Sequence, residues 1–436
     1  MLVRSVTTIL ASACSIAVAS TAGAQKPTDT ARCSSGRWVP PRPLRTHEGY
    51  TIMAPRASVL PLNRNTLFTA WPILTYDSTG KLVFPLAPDH AKATGPEQVA
   101  MAAIADSDGE ARLLPSPRGL LGFPLYLEAS ASDAGVVHAL FGSDDSMPAT
   151  SLISVRSVWY TRMEGEGWAV PERILTSENR ALFSPSYRSP IVARSGVLHA
   201  MVGMEAEGLR YLRRSTDVWT LRHVGIQRDL MGYPSIAVLS TGRVVLIVQA
   251  GVLHPLTSSM SSVDVTWSDD DGVSWTVPRR ISDPAAEPVY DLHLFADEQD
   301  ALYAFWYQAT DPDGTPTLRP MFGAAPGRVQ AAESTDGGET WRHFPPSVLL
   351  PNAGELRLLL LPDHTALAAL ANARDDQIIT MSWSGRWSTP ELTSAGPQPF
   401  NPSLGLGGAQ RPVLVWGITH RPDWTTTMMT TYVPCR

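Results

Sequence analysis

Apolar residues in this chain come in short runs separated by turns. Ser189 opens SPIVARSGVLHAMVG, Pro234 opens PSIAVLSTGRVVLIVQ, and Asp291 opens DLHLFADEQDALYAFWYQ. Each segment is an apolar run, a polar turn and a second apolar run. Runs this short, rich in Val, Leu and Ile, predict buried β-strands paired as hairpins. GVVHALFG from Gly135 returns as GVLHAMVG from Gly196, so the hairpin belongs to a repeated unit. No long amphipathic helix is predicted. The one helix-compatible stretch, Pro88–Thr94, reads as an insertion.

Tryptophans mark the period. Trp168, Trp219, Trp275, Trp341 and Trp387 are spaced by 51, 56, 66 and 46 residues. A period near fifty is the size of one four-stranded propeller blade. Two of these tryptophans close matching segments, Ser268 to Trp275 (SDDDGVSW) and Ser334 to Trp341 (STDGGETW). Both fit S-x-D-x-G-x-[ST]-W. TRMEGEGW from Thr161, STDVW from Ser215 and SGRW from Ser384 are weaker copies. Complete units are predicted near 53–115, 124–176, 186–226, 232–282, 290–350 and 354–393. The last unit, 399–435, shows only three strands. Its missing outer strand is supplied from the other end of the chain: SGRWVPPRPL from Ser35 matches SGRWSTPEL from Ser384. A strand at 33–44 would thus complete the blade of 399–435, and closure removes exposed sheet edges. The count is six or seven blades, the unit at 53–115 deciding between them.

These segments resemble the Asp boxes, or BNR repeats, of sialidase-like β-propellers. The resemblance implies an all-β propeller of four-stranded antiparallel blades over most of the chain. It also implies that Ser268, Asp270, Gly272 and Trp275, with Ser334, Asp336, Gly338 and Trp341, are structural and lie away from any active site. The acidic run Asp269-Asp270-Asp271 suggests calcium by composition, but the box accounts for it, and no metal or other cofactor is expected. His138 and His199 occupy equivalent repeat positions in different units, which points to strand packing.

The ends of the chain add location. Arg4, an apolar stretch over residues 6–19 and Ala22-Gly23-Ala24 read as a signal peptide of residues 1–24, leaving 25–436 as one domain. The run is too short for a transmembrane anchor. A lipidated Cys14 is the competing reading. Ala11-Ser12-Ala13 before it lacks the leucine of such signals, and the apolar run continues past it. A secreted or periplasmic protein is expected. Cys33 and Cys435 then remain, and in an oxidising compartment they would pair as a disulfide between the two ends. The net charge of −6, with charged residues at 17% and no basic block, argues against nucleic acid as partner. A monomer binding a glycan or protein ligand is expected.

Candidate chemistry lies where the inner strands begin. Arg56, Tyr187, Arg188, Tyr233, Tyr290, Asp291, Glu355 and Asn401 fall there. Arg presents a fork to carboxylates, and Tyr presents a flat face with a hydroxyl. The family resemblance implies three arginines on a substrate carboxylate, an Asp acid/base, and a Tyr nucleophile paired with a Glu. The family's first arginine lies in an R-I-P motif; here the place reads Pro55-Arg56-Ala57-Ser58. Arg56, Arg188, Tyr290, Asp291 and Glu355 are the catalytic candidates, and no third arginine is found by motif. Ligand binding is therefore favoured over exo-glycosidase activity.

Overall fold

A computed structural model describes residues 38–48, 58–63, 66–72, 99–105, 111–114, 123–132, 136–144, 157–164, 167–176, 191–204, 208–225, 234–250, 262–283, 289–310, 325–372, 376–394, 396, 399–406, 411–420 and 425–433. Every regular element among them is a strand. The first is β1 (Arg42–Glu48). Sheet one holds β2 (Ser58–Asn63), β3 (Thr66–Pro72), β4 (Val99–Ala105) and β5 (Ala111–Leu114). Sheet two holds β6 (Phe123–Ala131), β7 (Val137–Asp144), β8 (Ser157–Glu164), the short β9 (Gly167–Trp168) and β10 (Glu172–Thr176). Sheet three holds β11 (Ile191–Arg194), β12 (Val197–Met204), β13 (Gly208–Ser215) and β14 (Val218–His223). Sheet four holds β15 (Ser235–Val238), β16 (Val244–Ala250), β17 (Ser262–Ser268) and β18 (Arg279–Arg280).

Sheet five is β19 (Val289–Ala296), β20 (Leu302–Ala309), β21 (Ala325–Ser334) and β22 (Arg342–His343). Sheet six is β23 (Leu350–Leu360), β24 (Ala366–Asn372), β25 (Gln377–Trp383) and β26 (Glu391–Ser394). These two groups are bridged where Ala325 and Gly327 of β21 pair with Ala353 and Leu350 of β23. The last sheet contains β27 (Pro399–Leu406), β28 (Pro412–His420) and β29 (Thr425–Tyr432), with β1 on its outer edge. All pairings are antiparallel, the pattern of propeller blades. The first strands of successive sheets lie side by side in the order β2, β6, β11, β15, β19, β23, β27, and β27 also lies against β2.

β1 pairs with β29 from Arg42↔Thr430 to Glu48↔Thr425, and the Val39 N–H donates to the Tyr432 carbonyl at 3.0 Å. The paired strand thus begins later than the SGRW match suggests. The reason is a repeated proline. Pro41, Pro171, Pro278 and Pro390 each follow a landmark tryptophan by three residues, and β1, β10, β18 and β26 each start one residue further on. Proline has no N–H to give to a ladder, so the segment from Trp to Pro is a turn and the strand starts after it.

The tryptophans fill the wedges between sheets. Trp219 meets Tyr160 of sheet two edge-on, with ring centroids 5.2 Å apart, and Trp275 meets Tyr211 of sheet three at 5.7 Å. Trp341 packs on the aliphatic layer shared by sheets four and five, and Trp387 meets Phe305 of sheet five at 5.9 Å. Trp38 occupies the same kind of place, against Leu367, Ala369, Leu404 and Leu414 of the last two sheets. The core is therefore a series of thin apolar layers, each sandwiched between neighbouring sheets.

The two S-x-D-x-G-x-[ST]-W segments have one hydrogen-bond scheme. The Gly272 N–H donates to Ser268 Oγ at 2.8 Å, and the Ser268 hydroxyl donates to Asp270 at 2.8 Å. Asp270 also accepts the Ser274 N–H at 2.8 Å and its hydroxyl at 2.6 Å. Ser334, Asp336, Gly338 and Thr340 repeat each bond. The indole N–H groups of Trp275 and Trp341 donate to the Gly272 and Gly338 carbonyls at 3.2 and 3.1 Å. Each turn is thereby satisfied internally and held against the sheet before it.

Candidate functional site

The first strands of three consecutive sheets carry the same irregularity. On β19, Tyr290 pairs with Tyr307 but His293 pairs with Phe305, so Asp291 and Leu292 face one partner residue. On β23 the shift lies between Gly354 and Arg357, and on β27 between Phe400 and Ser403. These are β-bulges, and Asp291, Glu355 and Asn401 take the equivalent place in each. Asp291 and Glu355 have φ of 52° and 55°, the left-handed region that non-glycine residues resist. Bulges of this kind re-aim side chains and gather next to binding sites.

The bulged residues also link neighbouring sheets. Asp291 is fully buried, and its Oδ2 accepts the Leu356 N–H at 3.1 Å. His293 Nε2 lies 3.0 Å from the Leu356 carbonyl oxygen, so both polar groups of one β23 residue are held by β19 side chains. Tyr290 is 6% exposed, and Glu355 is half-buried. Asp291 and Tyr290 therefore lie under the surface, in a more enclosed position than a solvent-facing rim.

Arg357 is a candidate that reasoning from motifs missed. It is 6% exposed on β23. Its Nη1 donates to the Leu356 carbonyl at 2.6 Å, while Nε and Nη2 are buried without a hydrogen-bond partner among the described residues. A buried guanidinium with two unmet donors is costly unless an anion or acceptor joins it. The signal was present in the repeat: Asp291-Leu292-His293 and Glu355-Leu356-Arg357 align, each placing a basic or imidazole side chain two residues after the bulged acid.

Arg56, Tyr187, Arg188, Tyr233, Cys14, Cys33, Cys435, the expected signal segment 1–24 and the stretch 88–94 lie outside the described residues. Asn401 lies on β27, at the bulge. Among the described residues no group of three or more His, Cys, Asp or Glu side chains is placed to hold a metal ion. No helix among them is long and apolar enough to cross a membrane.

The sequence matches no known protein family, and no curated relative matches it either. Similar folds are found among solved structures. A fungal alcohol oxidase of the AA5 family, solved with copper, is 11% identical and has a TM-score of 0.57 over 92% of this chain and 76% of its own. A PL25 ulvan lyase bound to a GlcA(1-4)Rha3S saccharide is 10% identical, with a TM-score of 0.52 over 88% of this chain and 95% of its own. The Penicillium chrysogenum α-L-arabinanase in complex with arabinobiose is 10% identical, with a TM-score of 0.47 over 70% of this chain and 92% of its own. At such identities the likeness is one of fold alone.

Proposed function

We propose that the chain is a secreted, monomeric, sialidase-like β-propeller that binds an acidic glycan where its innermost strands begin, without hydrolysing it. In this reading residues 1–24 are a cleaved signal and 25–436 form one seven-bladed ring. β1 completes the last blade, and a Cys33–Cys435 disulfide locks the join. The side-by-side order of the first strands, with β27 against β2, supports the ring.

The observation that carries the ligand class is Arg357. A planar fork of N–H donors held in a buried place suits the carboxylate of an acidic sugar. The bulges at Asp291, Glu355 and Asn401 would turn polar groups toward the same ligand, with Arg56, Tyr187, Arg188 and Tyr233 completing the rim. The PL25 ulvan lyase, whose solved complex holds a GlcA-containing saccharide, supports an acidic sugar by analogy of fold only. Binding is favoured over catalysis because Asp291, the acid/base candidate, is committed to the Leu356 N–H.

The test is a panel of fluorogenic sialosides and other glycosides, with a glycan array beside it, using the mature protein and an Arg56→Ala, Arg188→Ala double variant. Binding to acidic glycans without turnover is expected. Turnover that is lost in the double variant would replace this reading with an exo-glycosidase.

A further inference from the structure

A cavity opens between sheets four and five, away from the bulges on β19, β23 and β27. It has a volume of about 830 Å³, inside the range of about 300–1,000 Å³ usual for small-molecule sites. The cause is visible in the strands. The outer strands β18 and β22 are two residues long, whereas β14 of sheet three runs for six. Short outer strands leave the wedge uncovered at its rim.

The floor is built from β20 and β21. Leu302, Ala304 and Trp306 belong to the apolar layer with sheet four, and the end of β20 at Trp306 and Gln308 borders the cavity. Gln330, which pairs with Trp306 across the ladder, lines the cavity too. Trp306 is 2% exposed, and its indole N–H is buried without a partner among the described residues. The walls add Arg279 and Arg280 against Asp283 and Glu339, two charges of each sign. Such a lining has no net formal charge to favour an ionic ligand. It offers many donors and acceptors beside the half-buried face of Trp341.

We infer that this wedge is a second binding site, specific for an uncharged oligosaccharide. Hydroxyl-rich sugars match alternating donors and acceptors around aromatic faces, and a neutral lining excludes a large charge mismatch. The site is independent of the acidic-glycan site, since it shares no residue with the bulges.

The test uses tetrasaccharides of β-1,4-linked glucose, xylose, mannose and N-acetylglucosamine, observed by saturation-transfer NMR with the full mature protein. Saturable binding of at least one is expected. Gln330→Ala should weaken it by about tenfold, the effect of leaving one ligand hydroxyl unpaired. Arg357→Gln should leave this binding unchanged. Failure of all four probes to bind would overturn the inference. So would binding that survives Gln330→Ala at full strength, or binding abolished by Arg357→Gln. Selective capture of an acidic sugar or a proline-rich peptide in the wedge would overturn it as well.

Discussion

Gly272→Ala should be far more damaging than its one added carbon suggests. Gly272 has φ of +83°, and a Cβ built there would lie 2.2 Å from Cδ1 and 2.5 Å from Cε1 of Tyr211 on the neighbouring sheet. Tyr211 cannot easily withdraw. It is fully buried, its hydroxyl shares a hydrogen bond of 2.6 Å with His199 Nδ1, and its ring meets Trp275 edge-on. The backbone term alone is about 1–2 kcal/mol for alanine in the left-handed region. Forcing an extra carbon into a packed core adds about 1–3 kcal/mol. Gly196→Ala separates the two terms. Gly196 has φ of +75° in the β11–β12 turn, and nothing lies within 4 Å of its Cβ position. Urea unfolding of both variants should show Gly272→Ala less stable than Gly196→Ala by about 1–3 kcal/mol. Equal losses would refute the claim that this turn is wedged beneath the neighbouring sheet.

Other outcomes follow from the same contacts. Trp38→Ala should destabilise by about 2–4 kcal/mol in thermal or urea unfolding, because it empties the wedge between the last two sheets. Burial, aided by Arg213, lowers the His199 pKa to about 4, so the folded state resists a proton that the unfolded chain accepts near 6.5. Stability should therefore fall as pH drops from 6.5 towards 4, and His199→Asn should flatten that part of the profile. The Ser274 hydroxyl and N–H, with Ser268, hold the Asp270 pKa at about 2, below the ordinary carboxylate value of 3.8. The stability that it contributes is present above 3.8 and lost as pH falls towards 2, a loss that Asp270→Asn should remove in a melting-temperature series. The mature protein, denatured without reductant, should show no reactive thiol and weigh two hydrogens less than its reduced form; two free thiols would exclude the Cys33–Cys435 bond.

Much of the architecture was legible because blades are local objects. Apolar hairpins and tryptophan spacing located the sheets to within several residues: the unit expected near 53–115 holds strands from Ser58 to Leu114, and that expected near 124–176 holds strands from Phe123 to Thr176. SGRW carried a mixed message. It correctly marked Trp38 as an equivalent of Trp387, but the motif itself is a turn, so the strand at Arg42–Glu48 starts after Pro41. The site was harder to read. Asp291 and Glu355 stood out as polar residues at strand starts, yet their bulges and left-handed φ arise only when β19, β23 and β27 pair with their second strands. That Asp291 binds a neighbouring strand and that Arg357 is left with unmet donors depends on contacts between sheets 60 or more residues apart in sequence. The wedge between sheets four and five follows from two outer strands being short, a property of pairing that composition does not report.

Acidic-glycan recognition is best probed by calorimetric titration of the mature protein with 3′-sialyllactose and a glucuronate-containing tetrasaccharide, against their neutral counterparts. Saturable binding of at least one acid-bearing sugar is expected, with no product in the cell after titration and loss of binding in Arg357→Gln at an unchanged or higher melting temperature. Equal affinity for acidic and neutral sugars, or full binding by a folded Arg357→Gln variant, would contradict it.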